Sequence, residues 1–128
     1  MYKIIGIAIG GAIGTLLRYL VSGIDYKFSK GVFPISTFVI NVAGSLVIGF
    51  LWGLFERIDI SSTLRMFFLI GILGGFTTFS TFSLESFNLF RDGEFKIAIV
   101  NILATNLVGI AFVFLGFAAF RFLASVGK

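Results

Sequence analysis

Four long apolar stretches separated by short charged connectors constrain this chain before any motif is considered. A helix needs about 20 mostly apolar residues to cross the hydrocarbon core of a bilayer. Windows of that kind run over 4–24, 34–55, 66–90 and 97–120. The first is interrupted only by Arg18, the third carries Glu85 near its end, and the other two hold no charge. Pro34 suits the first turn of the second helix. The connectors 25–33, 56–65 and 91–96 hold most of the charges. Apolar residues make up 58% of the 128 residues and charged ones 12%, against about 45–50% and about 25% in a soluble domain. Lipid must therefore be the solvent for most of the chain. The expectation is an all-α membrane protein in which 1–128 forms a single four-span transmembrane domain. Lys3 and the apolar run after it resemble the start of a signal peptide, but Arg18 interrupts the run and no A-x-A-like site follows. The first stretch is expected to be retained.

Composition also excludes chemistries. There is no Cys and no His, which removes thiolate nucleophiles, imidazole bases, disulfides and the usual zinc or haem ligands. The net charge of +4 is spread between apolar segments and reads as bilayer-flanking anchors, not as a nucleic-acid surface. An enzyme is not expected, because no nucleophile–base pair or cofactor domain is visible.

Those charges do not specify an orientation. Four spans put both termini and the middle connector on one side, with Lys3, Arg57, Arg65, Arg121 and Lys128. Lys27, Lys30, Arg91 and Lys96 fall on the other, joined by Arg18 if it snorkels outward. Either one orientation wins on a weak bias, or the chain inserts both ways and pairs with an inverted copy of itself, giving the inverted-repeat symmetry of many transporters.

Small and polar residues recur at helical spacing. Gly6, Gly10 and Gly14, then Gly49 with Gly53 and Gly71 with Gly75, form GxxxG steps that allow close helix approach in lipid. Thr37, Asn41, Ser45 and Gly49 share one face of the second span. Asn101, Thr105 and Gly109 do the same in the fourth, with Asn106 beside them. Interhelical hydrogen bonding explains any single hydroxyl; two aligned stripes that each carry an amide suggest a polar path as well.

The third span is the most informative. Gly74 and Gly75 near its middle are followed by Phe76-Thr77-Thr78-Phe79-Ser80-Thr81-Phe82-Ser83-Leu84-Glu85. Paired glycines, β-branched residues and hydroxyls disfavour a helix. The segment is either kinked or broken. A break frees carbonyl oxygens at a depth where only buried protein or a cavity can satisfy them, and such oxygens suit a hard cation such as Na⁺. Phe79 and Phe82 lie three apart within the hydroxyl-rich stretch. Ring edges, hydroxyls and amide N–H groups together offer partial positive charge, which favours a small anion yet lets it leave. Arg18 is either an attractor for that anion or a snorkelling anchor. Glu85 follows Thr77 and Thr81 at four-residue intervals, as a pore-mouth or end-of-helix group.

Several strings resemble the Fluc (CrcB) fluoride channels. The run from Gly10 to Tyr19 is similar to their glycine-rich first-span motif ending in Arg, and Asn41-Val42-Ala43-Gly44-Ser45 to their second-span motif. The stretch Gly74 to Glu85 resembles their third-span signature closely. The resemblance implies a multi-pass protein of the bacterial inner membrane that exports toxic cytoplasmic fluoride passively. It implies an antiparallel, dual-topology homodimer with two fluoride pathways at its interface. The third helix is then broken near its middle, and a structural Na⁺ sits at the dimer centre on the backbone carbonyls of Gly74 and Thr77 from both subunits. By the same resemblance, Phe79 and Phe82 line the pores and Asn41 supplies the second-span contact. Thr81 and Ser83 belong to a hydroxyl track, Glu85 is the acidic residue beyond it, and Arg18 is the first-span Arg. Thr105 and Asn101 carry over from the fourth span.

Two other classes compete. A proton-coupled drug antiporter of the small multidrug type needs a carboxylate deep in the first span, where this chain offers only Arg18. A non-transporting subunit of a larger membrane complex is disfavoured by the two polar stripes and the composition of the third span.

Overall fold

The computed structural model describes residues 1–23 and 32–127. Ile24, most of the first connector with Asp25, Lys27 and Lys30, and the terminal Lys128 lie outside it, so their part in the charge balance is not seen. All regular structure among the described residues is helical. Helix α1 covers Tyr2–Ser22 and α2 covers Ile35–Arg57. The third span is a series: α3 (Ser62–Met66), a π-helical stretch (Phe67–Ile72), α4 (Leu73–Phe76) and α5 (Ser80–Arg91). Helix α6 covers Phe95–Val126. By length and composition, α1, α2, the series Ser62–Arg91 and α6 are each apolar enough to cross a membrane. The last extends well past the apolar window at 97–120, because Phe122, Leu123 and Val126 continue the helix beyond Arg121.

Glycines set two close interfaces. In α1, a Cβ on Gly10 would stand 2.6 Å from the Phe67 carbonyl oxygen, and one on Gly14 would overlap the Ile72 carbonyl. The first helix thus lies directly on the π-helical backbone, where a wide turn and Gly71 leave room. Between α2 and α6 the arrangement is reciprocal. Gly49 faces the Val113 carbonyl, Gly116 faces the Leu46 carbonyl, and neither could carry a side chain without displacing the other helix. Gly93, with φ of 83°, turns the chain from α5 into α6. The Glu94 N–H reaches back to the Leu89 carbonyl at 2.8 Å, closing the helix end as a Schellman turn does.

The apolar core is small: Ile40, Val42, Phe55, Leu73, Phe82, Leu89 and Ala98 are buried. Large apolar side chains such as Leu16, Ile70, Leu107 and Phe114 point outward instead, an inside-out distribution suited to lipid or to a second apolar surface.

Candidate functional site

The site is built where α4 ends. Thr77 has φ −79° and ψ 159°, an extended conformation, and the α-helix resumes only at Ser80. Asn41 of α2 sits opposite and engages Thr78 twice. Its Nδ2 donates to the Thr78 carbonyl at 3.0 Å, and its Oδ1 accepts from the Thr78 N–H at 2.9 Å. The side-chain amide thus acts as a peptide group would, satisfying both backbone groups of a residue that has left the helix. Thr78 in turn serves the next helix, since its Oγ1 accepts from the Thr81 N–H at 3.2 Å, as an N-cap hydroxyl does.

These bonds have a consequence for the carbonyls. In an uninterrupted helix the N–H groups of Thr78 and Thr81 would donate to the carbonyls of Gly74 and Thr77. Both donate to side-chain oxygens instead. Thr77 also turns its own hydroxyl back onto the Leu73 carbonyl at 2.8 Å. Gly74, Thr77, Asn41, Gly44 and Ser45 border a hollow of about 280 Å³. Gly44 is needed there, because a Cβ on it would collide with the Thr77 methyl group. No group of three or more His, Cys, Asp or Glu gathers among the described residues. A metal held here would therefore rest on backbone and hydroxyl oxygens, the donor type a hard cation accepts.

A recess of about 190 Å³ opens beside Asn41, between Thr77, Thr78, Phe79 and Phe82 on one wall and Thr105 and Asn106 on the other. The Phe79 and Phe82 rings meet with centroids 6.0 Å apart and planes tilted by 47°. Their surroundings differ sharply: Phe79 is 78% exposed and Phe82 is 8% exposed. The three-residue spacing suggests one shared face, but Phe79 stands just ahead of α5 and is turned outward while Phe82, inside the helix, is buried.

Arg18 and Thr81 belong to a separate, larger cavity. It measures about 320 Å³ and is bordered by Thr15, Arg18, Ser22, Thr37, Thr78 and Thr81, among others. Thr37 also donates to Glu85 Oε1 at 2.5 Å. Glu85 borders a further hollow with Pro34, Asn88 and Asp92. The four-residue spacing of Thr77, Thr81 and Glu85 does not make one helical face, because Thr77 is extended. Thr77 lines both the hollow beside Gly74 and the Phe79–Phe82 recess, while Thr81 and Glu85, still on one face of α5, border the Arg18 cavity and the hollow beside Pro34. Ser83 is exposed and borders none of these hollows.

The fourth span contributes a buried relay. Asn101 donates from Nδ2 to Ser86 Oγ at 3.0 Å, Ser86 donates to the Phe82 carbonyl at 2.8 Å, and Thr105 donates to Asn101 Oδ1 at 3.3 Å. Asn101 is 1% exposed and does not border the recess, whereas Asn106 does. Thr78 and Ser86 are the residues that sequence reasoning passed over. A hydroxyl three residues ahead of a helical N–H is a capping signal that could have marked Thr78. The partner of Ser86 could not have been found, since it sits on another helix.

Residues 5–117 match the family model described as CrcB-like protein, Camphor Resistance (CrcB). A protein of Geobacter metallireducens named fluoride-specific ion channel FluC is 46% identical over 124 residues, covering 96% of this chain and all of the relative. Proteins of the same name from Parabacteroides distasonis and Pyrococcus abyssi are 44% and 45% identical, covering 91% and 88% of this chain and 91% of each relative. With four membrane-length helices and a match over most of its length, this chain is a multi-pass membrane protein of the CrcB-like family.

Proposed function

We propose that this chain is a fluoride-selective channel that lets cytoplasmic fluoride leave the cell passively and so limits its toxicity. The relatives' shared name supplies the ion. The observation that carries the reading is the double hydrogen bond from Asn41 to Thr78, which holds open the end of α4 beside the Phe79–Phe82 recess. The recess joins ring edges, hydroxyls and amides without a full charge, so an anion finds polar donors and no deep electrostatic trap. Arg18 raises the local anion concentration in the cavity that Thr37, Thr78 and Thr81 share with it. The Thr81 hydroxyl borders the Arg18 cavity, Glu85 is tied to Thr37 farther along α5, and the exposed Ser83 would join a hydroxyl track only against the surface of a second copy.

The working unit in this reading is an antiparallel homodimer of the bacterial inner membrane, with one pathway along each side of the interface. The broken third helix lies at its centre. The exposure of Phe79 supports it, because that ring needs a partner surface to border a closed path. A structural Na⁺ at the dimer centre fits the donor set: the Gly74 and Thr77 carbonyls, relieved of their helical donors, would hold it together with those of a second copy. Such an ion supplies fixed positive charge that binds the two broken helices together.

Proteoliposomes loaded with fluoride test the function. Fast, protein-dependent fluoride efflux at neutral pH is expected, and its absence from intact reconstituted protein overturns the reading. C-terminal tags should be detected on both membrane faces; detection on one face alone overturns dual topology. Thorough removal of Na⁺ from both sides should abolish the flux.

A further inference from the structure

The relay through Asn101 has a fixed direction. A carbonyl can only accept, so the Ser86 hydroxyl spends its single proton on Phe82. The Ser86 oxygen must then accept from Asn101, which turns Nδ2 toward Ser86 and Oδ1 toward Thr105. Thr105 is left as a donor to Asn101. Its proton therefore points out of the recess that its side chain borders, toward an amide that does not border it. An anion beside Thr105 in the recess would compete with Asn101 for that proton. The Thr105–Asn101 contact of 3.3 Å is long for a hydroxyl bond, beyond the usual 2.5–3.0 Å, so it is the weakest link of the relay. Burial at 1% exposure keeps water from competing for Asn101.

We propose that Asn101 is a positioning residue for the anion path: its carboxamide, oriented through Ser86 by the Phe82 carbonyl, holds the Thr105 proton in a releasable bond that an arriving fluoride displaces. The proposal rests on the channel reading above. Fluoride gains the Thr105 hydroxyl as a donor only by breaking its bond to Asn101, and when fluoride leaves, the hydroxyl donates to Asn101 again. Binding is thereby weakened and exit is speeded, which is what conduction requires.

The test is the fluoride dependence of flux in liposomes, with dimer assembly followed by gel filtration. Asn101→Leu keeps the side-chain bulk and removes the competing acceptor. Ser86→Ala, which is gentler on folding, lets the Asn101 amide turn over and donate to Thr105. In both variants the half-saturating fluoride concentration should fall by about two- to tenfold, the range one net hydrogen bond represents, and the maximal flux should fall with it. In a Thr105→Val background neither substitution should shift half-saturation. A purely structural role for Asn101 predicts lower flux with half-saturation unchanged or raised, and that result overturns the proposal. So does a downward shift that persists without the Thr105 hydroxyl. No flux from the unsubstituted protein overturns the channel reading itself, whereas normal flux from it with unshifted variants overturns only the role of Asn101.

Discussion

Asn41 and Thr78, 37 residues apart in sequence, form a two-bond pair in which one side-chain amide replaces the backbone partners that Thr78 would have had in a helix. The pair ties the second span to the third where α4 stops, and both residues border the recess between the Phe79 and Phe82 rings and the fourth span.

Removing this amide should harm both fold and flux. Asn41→Leu leaves the Thr78 N–H and carbonyl without their partner in an environment poor in water, a loss of about 1–3 kcal/mol of stability. Thermal unfolding in detergent should show the drop, and fluoride efflux should be lost. An Asn41→Leu protein as stable as the parent would mean that the pair contributes nothing to holding α4 open.

The glycine contacts between α2 and α6 predict a position-specific cost. Gly49→Ala places a methyl group on the Val113 carbonyl and should destabilise by about 1–3 kcal/mol through overpacking. A Cβ on Gly11 has open space on its own side of α1, so Gly11→Ala should be neutral. Comparing the unfolding of the two variants checks the claim, and equal effects would count against close helix approach as the constraint.

Phe79 and Phe82 should separate when stability and flux are measured together. Phe82→Ala empties a buried site and should cost about 3–5 kcal/mol. Phe79→Ala removes an outward ring and should leave the subunit fold nearly unchanged while reducing fluoride flux. Phe114, 72% exposed, provides the control: Phe114→Ala should change flux little. If Phe114→Ala and Phe79→Ala reduce flux alike, the Phe79 ring has no special place in the path.

Arg18 acts at a distance in this account, so its effect should respond to salt. Arg18→Gln is expected to lower flux most at low ionic strength, with the gap to the parent narrowing as salt shortens the screening length to about 8–10 Å near 0.1–0.15 M. Flux measured across a series of an inert salt tests this. A deficit independent of salt would assign Arg18 a direct contact or a packing role instead.

The sequence alone determined that the chain has four membrane-length helices, where small residues permit close packing, and which polar side chains lie within the spans. Hydropathy and helical spacing are local properties, and each span carries its own signal. Local spacing failed where the backbone ceased to be helical: Thr77, Thr81 and Glu85 look like one face at four-residue intervals, yet an extended Thr77 leaves that face while Thr81 and Glu85 keep it, both toward Thr37 of α2. The tertiary structure alone decided that Asn41 meets Thr78, that Thr37 meets Glu85, and that Asn101 reaches Ser86 while Thr105 faces the recess. Those pairings depend on how one helix is set along and around its neighbour. A slide of one turn, about 5.4 Å, would keep every residue in its span and change every partner. Carbonyls set flush against Gly10, Gly49 and Gly116 fix that setting, and with it the polar contacts on which the proposed path depends.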